Sequence, residues 1–228
     1  MRKFIAIILL CVIAWGIFIS LREIPFGIPK TKVGKYYIEN SEKETGASNT
    51  VTAVVVNYRS FDTLGEVTVL FLAAIGLGTV LATFQKKEKI KVEPSSLILY
   101  TGCRFLFPLI LLFGSYIFIH GHLTPGGGFQ GGAVIASAFV LVYLGCRGKR
   151  VSKAGSNIAE SLGGLTFVVL GLIGLAVGGH YFLYNFLPKG EFNTLFSAGI
   201  IPIIYIAIGF KVGSELSGII DQLMEESG

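Results

Sequence analysis

Apolar and polar positions in this 228-residue chain are sorted into long apolar blocks separated by short charged ones. Six blocks stand out: Phe4–Leu21, Thr63–Phe84, Leu97–Ile119, Ala133–Cys146, Ala159–Phe182 and Thr194–Val212. A membrane-spanning helix needs about 20 consecutive apolar residues. Five blocks approach that length, and the fourth reaches it by starting inside the glycine-rich stretch before it. The pattern predicts an all-α fold, a polytopic membrane helical bundle of about six transmembrane helices with a glycine-rich broken segment before the fourth. The first block follows Met1-Arg2-Lys3, as a secretory signal would. It is longer than the roughly 7–15 residues of a signal core and has no small-x-small cleavage site. It reads as a retained first membrane helix.

The segments between blocks differ. Arg22–Ser60 is an outer loop whose start is punctuated by Pro25, Gly27, Pro29 and Gly34, with a polar stretch from Glu39 to Thr45. Within it Thr50–Tyr58 is rich in β-branched residues. Propensity favours a short strand there, and helix is favoured if the segment leans on the bilayer. The tail, Ser214–Gly228, carries Leu216, Ile219, Ile220 and Leu223 at helical spacing, so the last helix extends into water and packs on a neighbour.

Composition agrees with a membrane class: 52% hydrophobic, 14% charged, mean hydropathy +0.70. The net charge of +5 does not indicate nucleic acid, because the basic residues lie mostly between apolar runs. Lys86, Lys87, Lys89 and Lys91, and Arg147, Lys149, Arg150 and Lys153, mark one side as cytoplasmic. With Arg2 and Lys3 this predicts a multi-pass protein of the cell membrane with both termini cytoplasmic. That placement puts 11 Lys/Arg inside and 7 outside, leaving Arg104 unassigned. Cys11, Cys103 and Cys146 form no CxxC pair and read as buried free thiols.

Ionisable groups inside spanning helices are costly and mark candidate sites. Asp62 and Glu66 stand four apart at the start of the second helix, on one face. Thr63-x-x-Glu66 fits a capping box, and a carboxylate that carries a proton or a sodium ion is the functional alternative. Arg104 lies roughly 10 Å into the third helix by helical rise. It can snorkel to the cytoplasmic surface or pair with Glu160 or Glu215 as an inner polar group. His120 and His122 do not share a helical face, so with the distant His180 they suggest loop carbonyl bonding rather than a metal site. A proton-relay role stays open for a histidine.

The most informative stretch is Gly121-His122-Leu123-Thr124-Pro125-Gly126-Gly127-Gly128-Phe129-Gln130-Gly131-Gly132. Gly126-x-Gly128-x-x-Gly131 has the form of a dinucleotide fingerprint but follows a membrane helix, not a strand, so nucleotide binding is rejected. Three consecutive glycines permit positive φ and close backbone approach. Such irregular backbone at membrane depth must face protein or a wet cavity. Pro125, Gly126, Gly127, Gly128, Phe129, Gly131 and Gly132 therefore either shape an ion path or let helices three and four pack closely.

Two motifs together are specific. Asn57-Tyr58-Arg59-Ser60-Phe61-Asp62-Thr63-Leu64-Gly65-Glu66 resembles a motif near the end of the large A subunit of Mrp-type multisubunit sodium/proton antiporters. The stretch from His122 to Gly132 resembles the signature of the B subunit of those systems. Residues 1–90 resemble the A-subunit tail, a module of two helices, and 91–228 resemble the B-subunit module of four. The same modules occur in archaeal membrane-bound hydrogenase and membrane-bound sulfane reductase. Asn57 stands where the family usually has Asp, and Ser60 where it usually has Gly. The resemblance implies a non-catalytic membrane subunit that shares in Na+ and H+ translocation, with no cofactor or metal of its own. Glu66 would be the functional carboxylate, Asp62 would hold it, and His122 is a further candidate. Expected partners are other antiporter-type subunits, a peripheral iron–sulfur redox arm and the lipid bilayer. Membership of a stand-alone antiporter, or a structural linker role without its own ion path, is the alternative.

Overall fold

A computed structural model describes residues 2–23, 32–83, 95–146, 152–178 and 181–226. The lysine-rich segment 84–94, the basic segment 147–151, the stretch from Pro25 to Pro29 and His180 lie outside the described residues. Two compact units divide the chain, residues 1–36 and 37–228.

The first unit contains α1 (Arg2–Glu23). Its span, Lys3–Arg22, has a mean hydropathy of 2.9 and none of it is buried by the chain itself. A helix apolar on every side has no face to place toward water and suits hydrocarbon. Cys11, expected to be buried, is therefore exposed on α1, because no other part of its unit covers that helix. The start of α2 (Lys32–Thr45) also belongs to this unit.

The second unit holds the bundle. After α2 come one turn, α3 (Thr50–Thr52), and a π-helical segment, Ala53–Tyr58. The membrane helices α4 (Ser60–Thr83), α5 (Leu97–Ile119), α6 (Gly128–Gly145), α7 (Lys153–Gly178) and α8 (Ile201–Glu226) follow. Counting α1, six helices among the described residues are long and apolar enough to cross a membrane. All regular elements among the described residues are helical.

Helix α8 is the hub. It packs against α4, α5, α6, α7 and the π-segment, while α5 forms an antiparallel hairpin with α6. Its membrane window is 56% buried, against 6% for α4 and 11% for α5. The core gathers Ile201, Ile204, Ile208 and Val212 of α8 with Phe167 of α7, Val56 of the π-segment, and Phe182 and Leu183 of the loop before α8. The outer faces of α4, α5 and α7 remain apolar and exposed, as faces toward lipid or other subunits must be.

Several boundaries differ from the sequence expectation. Thr50–Tyr58 is helical, not a strand. Asn49 caps it by accepting from the Val51 and Thr52 amides, and Arg59 N donates to Val54 O at 2.8 Å, five residues back. The polar stretch Glu39–Thr45 belongs to α2 rather than to an open loop. The fifth span stops at Gly178, because Phe182 folds back onto α7. A Cβ at Gly171 would lie 2.0 Å from the Phe182 ring. The last span starts at Ile201 rather than Thr194, since Asn193, Ala198 and Gly199 have positive φ. Asn185 organises that loop, donating to Thr45 O and Ala198 O and accepting from the Ile200 amide. The tail continues α8 without a break to Glu226.

Candidate functional site

The glycine stretch is built for contact. Gly126 and Gly127 both have φ of 153°, which side-chain-bearing residues rarely adopt. The turn allows α6 to begin at Gly128 directly against α8, where a Cβ would lie 2.6 Å from Ile208 Cβ and 2.8 Å from Tyr205 O. Gly132 meets Gly209 O and Val212 of α8, and Gly131 meets Gly114 O and Phe118 of α5. Phe129 packs on the core, and Pro125 is exposed at the tip. Of the two roles open from sequence, these contacts fit close packing, with α8 as a second partner.

The carbonyls left by this bend are satisfied from the π-segment side. Asn49 Nδ2 donates to Gly121 O at 3.1 Å and Thr124 O at 3.0 Å, and Thr52 Oγ1 donates to Gly121 O at 2.6 Å. Tyr205 of α8 donates its hydroxyl to Thr52 Oγ1 at 2.9 Å. His122 is fully buried, with Nε2 3.3 Å from Thr194 O and Nδ1 without a partner. Burial lowers its pKa below the ordinary 6.5, so the ring is neutral at pH 7. His120 lies apart, stacked on Tyr116 with centroids 4.2 Å apart.

Glu66 stands on the exposed face of α4, within electrostatic reach of the Tyr205 hydroxyl. It lies about 9 Å along the helix from Ser60. A carboxylate at that depth in an apolar helix is costly to expose to hydrocarbon, which marks Glu66 as a candidate site. Asp62 pairs with Arg59 at 2.5 Å instead of holding Glu66. The expected capping box is also absent, because α4 begins three residues earlier, at Ser60. Thr63 Oγ1 instead donates to Val55 O at 2.7 Å, while Ser60 Oγ donates to Phe182 O at 2.9 Å. The hydroxyl found where the resembling family usually has Gly thus ties α4 to the loop before α8. Asn57 is buried, with its Oδ1 unpartnered and its side chain beside Tyr181.

Arg104 does not meet Glu160, since α5 and α7 are not in contact among the described residues. It stays exposed and reaches back one turn, donating to Tyr100 OH at 3.3 Å with its guanidinium 5.5 Å from that ring. This is the snorkelling geometry. The buried charge lies instead on α8, where Lys211 Nζ donates to Glu215 Oε2 at 2.8 Å. Glu215 stands out in the sequence, whereas Lys211 passes for one more cytoplasmic positive charge. The i, i+4 spacing of the two inside an apolar run is the signal that links them.

A helical bundle whose interior carries a glycine-built turn, a neutral histidine and buried ionisable groups defines a multi-pass membrane protein. The chain belongs to the family described as "domain related to MnhB subunit of Na+/H+ antiporter", whose model matches residues 98–218. A second model, for the E subunit of MBH, matches residues 2–95. Among solved structures, the chain is 51% identical to a chain of the membrane-bound sulfane sulfur reductase, an archaeal respiratory membrane complex. It covers 98% of both chains with a TM-score of 0.80. A chain of the Mrp complex from Dietzia sp. DQ12-45-1b is 25% identical, with a TM-score of 0.74, over 99% of this chain and 26% of that one. The A/B subunit of a probable K(+)/H(+) antiporter of Rhizobium meliloti is 28% identical over 82% of this chain, which spans only 21% of that protein's length.

Proposed function

We propose that this chain is a membrane subunit of a multisubunit complex that exchanges Na+ for H+. Its setting is a redox-driven respiratory complex of the sulfane reductase kind. One observation carries the setting: the match to the sulfane reductase chain runs end to end on both sides, 98% of each at 51% identity. The Mrp-complex relative is a far longer chain, of which this protein covers 26%. The chain is not an enzyme by itself. Its partners are other antiporter-type membrane subunits, and a peripheral iron–sulfur arm supplies the energy. Both termini face the cytoplasm, the orientation favoured by the distribution of lysine and arginine.

Within the chain, Glu66 is the carboxylate that carries the ion. Arg59 already neutralises Asp62, which leaves Glu66 as the net negative group at that end of α4. The Tyr205–Thr52–Gly121 chain of hydrogen bonds fixes the surface beside it. The glycine turn sets that surface by holding α5, α6 and α8 together. His122 is a buried neutral group within the same loop.

The test is Glu66→Gln in the complex reconstituted into vesicles, with Na+ and K+ compared as driving ions. Sodium-dependent proton movement is expected to fall at least about tenfold while the complex stays assembled. Unchanged exchange in the variant would reject the ion-carrying role and favour the structural-linker reading. Equal rates with K+ would correct the cation.

A further inference from the structure

The Lys211–Glu215 pair is an uncommon thing to bury. The side chains are 9% and 1% exposed, and by helical rise they lie about 15 and 21 Å from the start of α8, inside the Ile201–Met224 stretch that is long and apolar enough to span a membrane. Charges at that depth are expensive, and a purely structural pair would use its acceptors fully. Glu215 does not: Oε2 takes the lysine, and Oε1 is buried without a partner. A second carboxylate, Glu160 of α7, lies within electrostatic reach of Glu215. Ser156 Oγ donates to Ser214 O at 3.1 Å and ties this part of α7 to α8, so two acids and one ammonium share the region and leave room for one proton.

Glycines of α7 make the room that the Lys211 stem fills. A Cβ at Gly163 would lie 3.0 Å from Lys211 Cβ, and one at Gly164 would lie 3.6 Å from its Cδ. On the other side its ammonium sits 5.2 Å from the Phe71 ring of α4. Among the described residues, no other side chain that is charged at neutral pH comes from the facing helices at this level. The acids of α4, Asp62 and Glu66, are near its opposite end, α6 carries none, and Arg104 of α5 points to Tyr100. On α8 itself Asp221 follows about 1.7 turns beyond Glu215.

We propose that Lys211, Glu215 and Glu160 form a proton-carrying station in the half of the membrane away from the glycine turn. This deepens the translocation role proposed above and rests on it. A proton adds to Glu215 Oε1, forming an O–H bond, and the hydrogen bond from Lys211 to Oε2 is released. The ammonium keeps its three N–H bonds and turns its charge toward Glu160. Loss of the proton reverses each step, so one proton enters, one leaves, and nothing is oxidised or reduced.

The experiment uses the whole complex in vesicles, with exchange rates and pH-difference infrared spectra of the carboxyl band. Replacing both partners by apolar groups, Lys211→Met with Glu215→Leu, leaves no unpaired buried charge and should preserve assembly. Exchange in that double variant is expected to fall at least about tenfold. A rate equal to wild type would show a structural clamp and overturn the station. Glu160→Gln leaves the ion pair intact and removes a neighbouring negative charge. The pH midpoint of the Glu215 band should then move down, because the charged carboxylate is less opposed. An unmoved midpoint, or a band that survives Glu215→Gln, overturns the proposal even if the double variant does not assemble. Absence of exchange in the wild-type complex itself would refute the translocation reading on which the station rests, whereas wild-type exchange with an unmoved midpoint would refute the station alone.

Discussion

The hydroxyl of Tyr205 on α8 donates to Thr52 Oγ1 at 2.9 Å, and Thr52 in turn donates to Gly121 O. One side chain thus links the hub helix, the capped turn before the π-segment and the glycine loop. Tyr205→Phe keeps the ring, against which Gly121 and Gly127 pack, and removes only the donor. The expected loss is about 1 kcal/mol, the net value of one buried hydrogen bond. Thermal unfolding of the purified complex measures it. A variant as stable as wild type would show that the hydrogen-bond chain does not hold the loop.

Glycines of the chain divide by what surrounds them. Gly128→Ala places a methyl group against Ile208 and the Tyr205 carbonyl, and the backbone oxygen cannot step aside as a side chain can. Overpacking of this kind costs about 1–3 kcal/mol. At Gly65, on the exposed face of α4, a Cβ meets nothing within 4 Å. Gly65→Ala should be neutral or stabilising by up to about 1 kcal/mol, from helix propensity alone. Yields of assembled complex for the two variants, compared side by side, check the contrast. Similar yields would mean that the α6–α8 contact is loose.

What the sequence makes visible follows from the same physics. Apolar block length is set by bilayer thickness, so the spans are legible in hydropathy, and so is the break before α6. Boundaries at α4, α7 and α8 differ because tertiary contacts decide them. Phe182 turns back onto Gly171, and Asn185 holds the residues that would otherwise continue a helix toward Ile201. The β-branched run Thr50–Tyr58 misleads because strand propensity expresses packing, and Asn49 and Thr63 supply helical hydrogen bonds that propensity does not count. Glu66 is legible as an acid in an apolar run. Lys211 is not, because a lysine near a helix end reads as snorkelling until its partner is placed.

Cys103 of α5 and Cys146 at the end of α6 are both buried and free, as the sequence suggests for thiols in apolar runs. Their sulfurs lie 2.8 Å apart, so the two residues report on the α5–α6 hairpin. Copper phenanthroline with oxygen should remove two electrons and two protons and join them. The product would be a faster-migrating band on a denaturing gel, absent in Cys103→Ala. No joining under conditions that oxidise Cys11 would place the two thiols further apart than the packing of Gly145 against Cys103 requires.

His122 gives the loop a pH dependence whose sign follows from its burial. Its Nε2 bonds Thr194 O, but burial penalises the charged ring more than the backbone carbonyls around it favour it. The folded pKa therefore lies below 6.5, the value in the unfolded chain. Above 6.5 both states are neutral and the loop has its full stability. As pH falls through 6.5 toward the lowered folded value, the unfolded state takes the proton first and stability is lost. The prediction is faster amide exchange in 119–127 and in the contacting segment 47–53 at about pH 5.5 than at about pH 7.5, after correction for intrinsic rates. Asn49 N donates to His122 O at 3.1 Å, which couples the two segments. His122→Gln keeps a neutral donor for Thr194 O and should flatten the acid limb. An acid limb unchanged in that variant would assign the loosening to a different group.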